Sequence, residues 1–139
     1  MRLRQLLIVT ALLVGCVING NAKGYRPAKI YMFGFAASFN DSTVYLTDIQ
    51  TVNAYLVNNR TKFLANREDY SYQLRNYLQS NGLEAYPTCI TMFAENEKDA
   101  TRKYLKLKER YEKSKKKYSI KSLKDSQFKY TPVEPDQQS

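Results

Sequence analysis

From Lys29 to Phe39 the chain reads KIYMFGFAASF, which is apolar at both sets of alternating positions: Ile30, Met32, Gly34 and Ala36 fall on one side of an extended strand, and Tyr31, Phe33 and Phe35 on the other. A strand apolar on both sides belongs in the middle of a sheet, with each face covered or with one face in a partner. Asn40-Asp41-Ser42 is a turn cluster, and Thr43-Val44-Tyr45-Leu46-Thr47 resumes with β-branched and aromatic residues, so the two runs predict a hairpin. Gly34, inside the first run, marks a bulge or a close approach of backbone.

The period then changes. Between Asp69 and Gln79, Tyr70, Leu74, Tyr77 and Leu78 recur at helical spacing and predict a helix with one inward stripe, stopped by Gly82 as a left-handed cap with Leu83 beside it. Pro87 precedes a second predicted strand, Thr88 to Ala94. Asn96 with Asp99 predicts the N-cap of a further helix from about Glu97 to Lys116, whose inward stripe is Ala100, Tyr104, Leu107 and Tyr111. Ser119 to Leu123 and Gln127 to Thr131 read as short strands. Thr51 to Val57 reads as a short helix ended by Asn58-Asn59. The order hairpin, helix, strand, helix, strand predicts an α+β fold: a small two-layer sandwich with a mixed sheet of about four strands and two main helices. The crossovers into and out of Thr88 to Ala94 predict a strand parallel to its neighbours. One domain spans 23–131, and 132–139 is a polar tail expected to be disordered.

The first residues stand apart. Arg2 and Arg4 precede Leu6 to Val14, an apolar run interrupted only by Thr10, and the apolar stretch ends by Ile18, too short to cross a bilayer core. This is the pattern of an export signal, with no transmembrane span. Two processing sites compete. Cleavage after Gly20-Asn21-Ala22 makes 1–22 a signal peptide and releases a periplasmic or secreted protein. Leu13-Val14-Gly15-Cys16 instead resembles the lipobox of bacterial lipoproteins, which implies lipidation of Cys16, a signal of 1–15 and a chain anchored in the envelope. The apolar continuation Val17-Ile18 speaks for the first site.

Composition narrows the chemistry. With 139 residues, no His and 2 Cys, the chain excludes Ser-His-Asp and Cys-His nucleophile systems, His-bearing zinc sites and iron–sulfur clusters. Cys89 lies in an apolar strand context and reads as a buried small hydrophobe. The 12 Tyr fall mostly on core stripes and strand faces, where packing explains them. Asp41 and Asp48 flank the second run as the one carboxylate pair to consider for hydrolysis; each reads more simply as a turn or strand-end residue. No phosphate loop and no nucleophile elbow is present. No catalytic residue, cofactor or metal is assigned.

Charge is localised. The net charge is +9, yet Lys23 to Glu97 is balanced, whereas Lys98 to Lys124 holds twelve basic residues against Asp99, Glu109 and Glu112. A helix with the inward stripe above turns Arg102, Lys103, Lys106, Arg110, Lys113 and Lys117 outward, followed by Lys115 and Lys116. Three readings apply: a solvated face that keeps the domain soluble, a cationic surface for anionic lipid, lipopolysaccharide or acidic glycan, and nucleic acid, which export and the inward placement of Tyr104 and Tyr111 disfavour. An envelope protein docking on the apolar first hairpin is the alternative partner.

The stretch IYMFGFAASFNDSTVYLTDI resembles a group of short exported bacterial envelope proteins without assigned activity. The resemblance covers the signal segment and the first hairpin, implies export, and carries over no functional residue.

Overall fold

A computed structural model describes residues 24–135. The export signal, both processing sites and Cys16 lie outside the described residues, as do positions 136–139. The two-sided apolar run becomes β1 (Tyr25–Ala37), longer than the sequence pattern marks, followed by β2 (Thr43–Thr47), β3 (Gln50–Val57), α1 (Arg67–Ser80), β4 (Thr88–Ala94), α2 (Glu97–Glu112) and β5 (Ser119–Leu123). This is a small α+β fold with one mixed five-stranded sheet and two helices.

β1 organises the sheet. Along one edge it pairs antiparallel with β2 and then β3, and along the other with β4; β5 pairs parallel to β2. β2 and β3 form one nearly continuous partner for β1. Phe35 faces Leu46 and Met32 faces Gln50, so Phe33 and Gly34 are opposed by three residues, Thr47, Asp48 and Ile49. That is a β-bulge of one extra residue. The ladder is repaired locally: the Gly34 N–H donates to Thr47 Oγ1 at 2.8 Å, and Thr47 is fully buried.

Three expectations are corrected here. Residues 51–57 form a strand and not a helix, because Val52, Ala54 and Leu56 are buried at a period of two while Thr51 and Asn53 are exposed. β4 is antiparallel to its one neighbour among the described residues, because β1 lies between it and the strands that run its way. Gln127 to Thr131 is not a strand; side chains hold it instead. The Gln50 amide donates to Phe128 O and accepts from Tyr130 N, both at 2.8 Å, and Gln73 makes the same pair of bonds with Thr131 at 2.9 Å. The chain beyond it stays attached as far as Pro135: Val133 N donates to Tyr70 Oη at 2.9 Å, and Pro135 is buried.

The two faces of β1 are covered separately. Ile30, Met32 and Ala36 pack with Tyr70, Leu74 and Leu78 of α1 and with Leu123, Phe128 and Tyr130. Phe33 and Phe35 pack with Tyr104, Leu107 and Tyr111 of α2. The helices therefore sit on opposite faces, giving helix–sheet–helix layering where two layers were expected. Both apolar sides of β1 are covered within the chain: Ile30, Met32, Phe33, Phe35 and Ala36 are buried and Tyr31 is half-buried, while Phe39, in the turn that follows, is exposed.

Both helix ends follow the sequence. Asn96 Oδ1 accepts from Asp99 N at 2.8 Å and caps α2. Gly82 at φ 65 closes α1, with Gly82 N bonded to Gln79 O and Leu83 N to Leu78 O. Leu83 itself stays exposed.

Candidate functional site

α2 is built as the pattern 100, 104, 107, 111 requires, with Phe33–Tyr104 and Phe35–Tyr111 ring centroids 5.4 and 4.7 Å apart. It ends at Glu112, short of the expected Lys116. The inward stripe has no apolar member after Tyr111, since Ser114 and Lys115 occupy the next helical positions, and burial no longer supports another turn. The chain turns back, and Tyr118 meets Tyr111 edge-on at 4.9 Å. The basic stretch 98–124 is thus a helix, a loop and a strand: Lys115, Lys116 and Lys117 lie in the loop, and Lys121 and Lys124 lie on and just after β5.

The structure sorts the candidate cations into engaged and free. Arg102 meets Asp99 at 3.4 Å, Lys108 meets Glu112 at 3.9 Å, and Lys113 bonds Glu109. In the last pair the Lys113 bond holds the Glu109 carboxyl below its usual range, and the Glu109 bond lifts the ammonium above its own. Lys103 is drawn out of the array; its ammonium donates to Phe93 O at 2.8 Å on the edge of β4. Lys116 rests over the Tyr118 ring at 5.3 Å. All three acids of the stretch are consumed by these pairs. Lys98, Lys106, Arg110, Lys115, Lys117, Lys121 and Lys124 are exposed without an ion pair among the described residues.

Within α2, Lys98, Arg102, Lys106 and Arg110 follow one another four residues apart and so form a single ridge. Like charges at that spacing each cost a helix about 0.2–0.5 kcal/mol. A helix that needed only solubility would alternate signs, as its own last turns do with Lys108–Glu112 and Glu109–Lys113.

A second feature was not legible in the sequence. Between α1 and the start of β4 lies a cleft of about 360 Å³, walled by Glu68, Ser71, Tyr72 and Arg75 and floored by Pro87 and Cys89. Helix and strand are tied at one end, where Ser71 Oγ and Thr91 Oγ1 are 2.7 Å apart. Cys89 is half-buried here, and burial pushes its thiol up to about 11, only partly opposed by Arg75. Because the folded state holds this proton more tightly than the unfolded chain, the stability it contributes is complete below about 9 and lost as pH rises through about 11. Iodoacetamide should therefore alkylate Cys89 slowly at neutral pH, with a rate rising toward pH 11; rapid modification at pH 7 would contradict this placement.

The carboxylates considered for hydrolysis do not converge. Asp41 Oδ1 accepts from Thr43 N at 2.8 Å in the hairpin turn, while Asp48 Oδ2 accepts from Asp125 N at 3.2 Å beside the bulge. Among the described residues no three acidic or Cys side chains gather as a metal site, and no helix is long and apolar enough to cross a membrane. Tyrosine serves packing at Tyr45, Tyr70 and Tyr130, which are buried, and stands exposed at Tyr72 and Tyr86. Compared with known proteins, the chain matches no family model, no curated protein and no solved structure.

Proposed function

We propose that this protein is an exported, non-catalytic binding module of the bacterial envelope or its surroundings, meeting an anionic surface through the outer face of α2 and the lysines that follow. The observation that carries the reading is the ridge of Lys98, Arg102, Lys106 and Arg110, kept against its own repulsion on a helix whose inner stripe is fully used for packing. The lysines of the 113–118 loop and of β5 extend the positive field beyond the helix end. Export rests on the N-terminal pattern of Arg2, Arg4 and the apolar run behind them. The shared chemistry of the target is dense negative charge: lipid headgroups, lipopolysaccharide phosphate or acidic glycan.

Co-sedimentation with vesicles of phosphatidylglycerol and phosphatidylcholine, beside phosphatidylcholine alone, tests it. Binding is expected to the anionic vesicles only and to vanish at high salt, and soluble polygalacturonate as competitor separates a glycan preference from a lipid one. Lys106→Glu should weaken binding by about thirtyfold, since it removes one cation and adds one anion, each worth about 1 kcal/mol near such a surface. The same change should raise stability by about 1 kcal/mol, as it replaces two like-charge neighbours, Arg102 and Arg110, with opposite-charge ones. Binding unaffected by salt, or by charge reversal at Lys115 to Lys117, would count against the reading.

A further inference from the structure

β4 is an edge strand, paired with β1 alone. Which of its backbone groups point outward follows from the ladder. The Gly34 N–H turns toward Thr47, away from β4, so Gly34 and Thr91 oppose each other without exchanging hydrogen bonds, and the N–H and C=O of Thr91 point out of the sheet. By the period of two, those of Cys89 and Phe93 do the same.

One half of this edge is closed. Arg67 Nε donates to Thr91 O and Lys103 Nζ to Phe93 O, both at 2.8 Å, and the two cations lie over the Phe93 ring at 5.7 and 5.6 Å. Charged side chains placed on an edge in this way keep other strands from pairing with it. The other half is open: among the described residues nothing takes the outward N–H or C=O of Cys89. Tyr72, 59% exposed, lines the cleft beside that half, Tyr86, at 71%, stands just before β4, and Ile90, at 42%, lies on the other face of the strand. The cleft between α1 and β4 runs beside it.

We propose that an extended peptide segment of another protein adds to the open half of β4 as an antiparallel strand, seated in the α1–β4 cleft, with a carboxylate at its C-terminal end held by Arg75 and a basic side chain upstream meeting Glu68. The charges of the cleft fix the direction. α1 runs opposite to β4, since Arg67 and Ser71 lie beside Thr91 whereas Arg75 is near Cys89. A strand antiparallel to β4 therefore runs from Glu68 toward Arg75 and brings its C-terminal end to the guanidinium. Arg75 has no ion pair among the described residues; it rests over the Tyr72 ring at 6.0 Å. The seven-residue step from Glu68 to Arg75 spans about 10 Å of helix, which an extended chain covers in about three residues. The occupant thus carries Lys or Arg about three positions before its terminal carboxylate.

The test is selection of a displayed library of random peptides with free C-termini against the full chain, followed by synthesis of the strongest binder as acid and as amide. The acid should bind and slow hydrogen exchange at the Cys89 amide, while amidation, or Arg75→Glu in the protein, should each weaken binding about tenfold, the loss of a charge-assisted bond. Arg75→Lys should restore part of the affinity. Arg75 is exposed, so Arg75→Glu should melt with the wild-type chain, which separates lost binding from lost folding. Overturning results are no enrichment over bare support, a binder indifferent to amidation and to Arg75→Glu, unchanged exchange at Cys89, or a dimer of this chain that occupies the edge and dissociates in Arg75→Glu.

Discussion

Replacing Gly34 with alanine is expected to destabilise the fold by about 3 kcal/mol in urea unfolding, at the upper end of the usual cost of overpacking. A Cβ at this position would lie 2.1 Å from Tyr130 Oη and 2.8 Å from Leu74 Cδ2. The Leu74 methyl can turn aside, but the phenol is wedged among Gly34, Tyr70 and Phe128, with ring centroids 5.9 and 4.8 Å from the last two. The same hydroxyl is buried without a hydrogen bond of normal geometry. Burial raises its pKa, partly opposed by the Thr91 hydroxyl and reinforced by Cys89. Tyr130→Phe should therefore be neutral or stabilising by about 1 kcal/mol, because it removes a polar atom that burial leaves unpaired. It should also rescue most of the Gly34→Ala loss, since Tyr130 Cζ, at 3.4 Å, becomes the nearest atom of the ring. A double-mutant cycle reads this directly. Additive effects of the two changes would show that the Gly34 requirement has another source.

Gln50→Leu is expected to cost about 2–4 kcal/mol and to loosen residues 127–135 before the rest of the chain. The Gln50 amide is buried and serves both Phe128 O and Tyr130 N, so leucine would strand two buried backbone groups at once. Gln73 makes the equivalent bonds to Thr131, but those groups are exposed and water replaces them. Gln73→Leu should therefore cost under about 1 kcal/mol. Limited proteolysis separates the outcomes: cleavage near Lys129 in Gln50→Leu, and near wild-type resistance in Gln73→Leu. Equal resistance in both variants would mean that the C-terminal segment is held by Phe128 and Tyr130 packing alone.

These two sites show where the sequence was readable. Elements with a strong stripe or a double apolar face, such as β1, α1 and α2, were predicted from the pattern, as were the Asn96 and Gly82 caps. Gly34 was legible as a close approach, although the atom that approaches it comes from Tyr130, ninety-six positions later, and no local pattern names it. β3 was misread because Ala54 and Leu56 suit a helix as well as a strand; pairing with β1 decided the matter. The C-terminal segment was misread as a strand because glutamine side chains supply the bonds that a strand would have supplied. The division of the helices between two faces depends on which side of β1 each crossover takes, and a strand apolar on both sides allows either arrangement.

The candidate surface was legible in charge and not in geometry. The imbalance between Lys98 and Lys124 is plain in the residue order, but the engagement of Lys103 with the β4 edge and of Arg102, Lys108 and Lys113 with acids is set by the fold. What remains without an acidic partner is a smaller set, Lys98, Lys106 and Arg110, on the ridge that ion-paired Arg102 completes, with the loop lysines beyond them. The α1–β4 cleft left no signature because Glu68, Ser71, Tyr72 and Arg75 read as the polar outer face of an ordinary amphipathic helix.

The central claim is that the position of the charge matters and not its amount. Lys106→Glu and Lys129→Glu change the net charge equally, at two exposed lysines, one on the α2 ridge and one in the C-terminal segment. Affinity for anionic vesicles, measured for both variants and the wild-type chain at one low salt concentration, separates the possibilities. The account predicts about a thirtyfold loss for Lys106→Glu and no more than about a twofold loss for Lys129→Glu. Equal losses in the two variants would reduce the basic helix to a contributor of net charge and contradict the account.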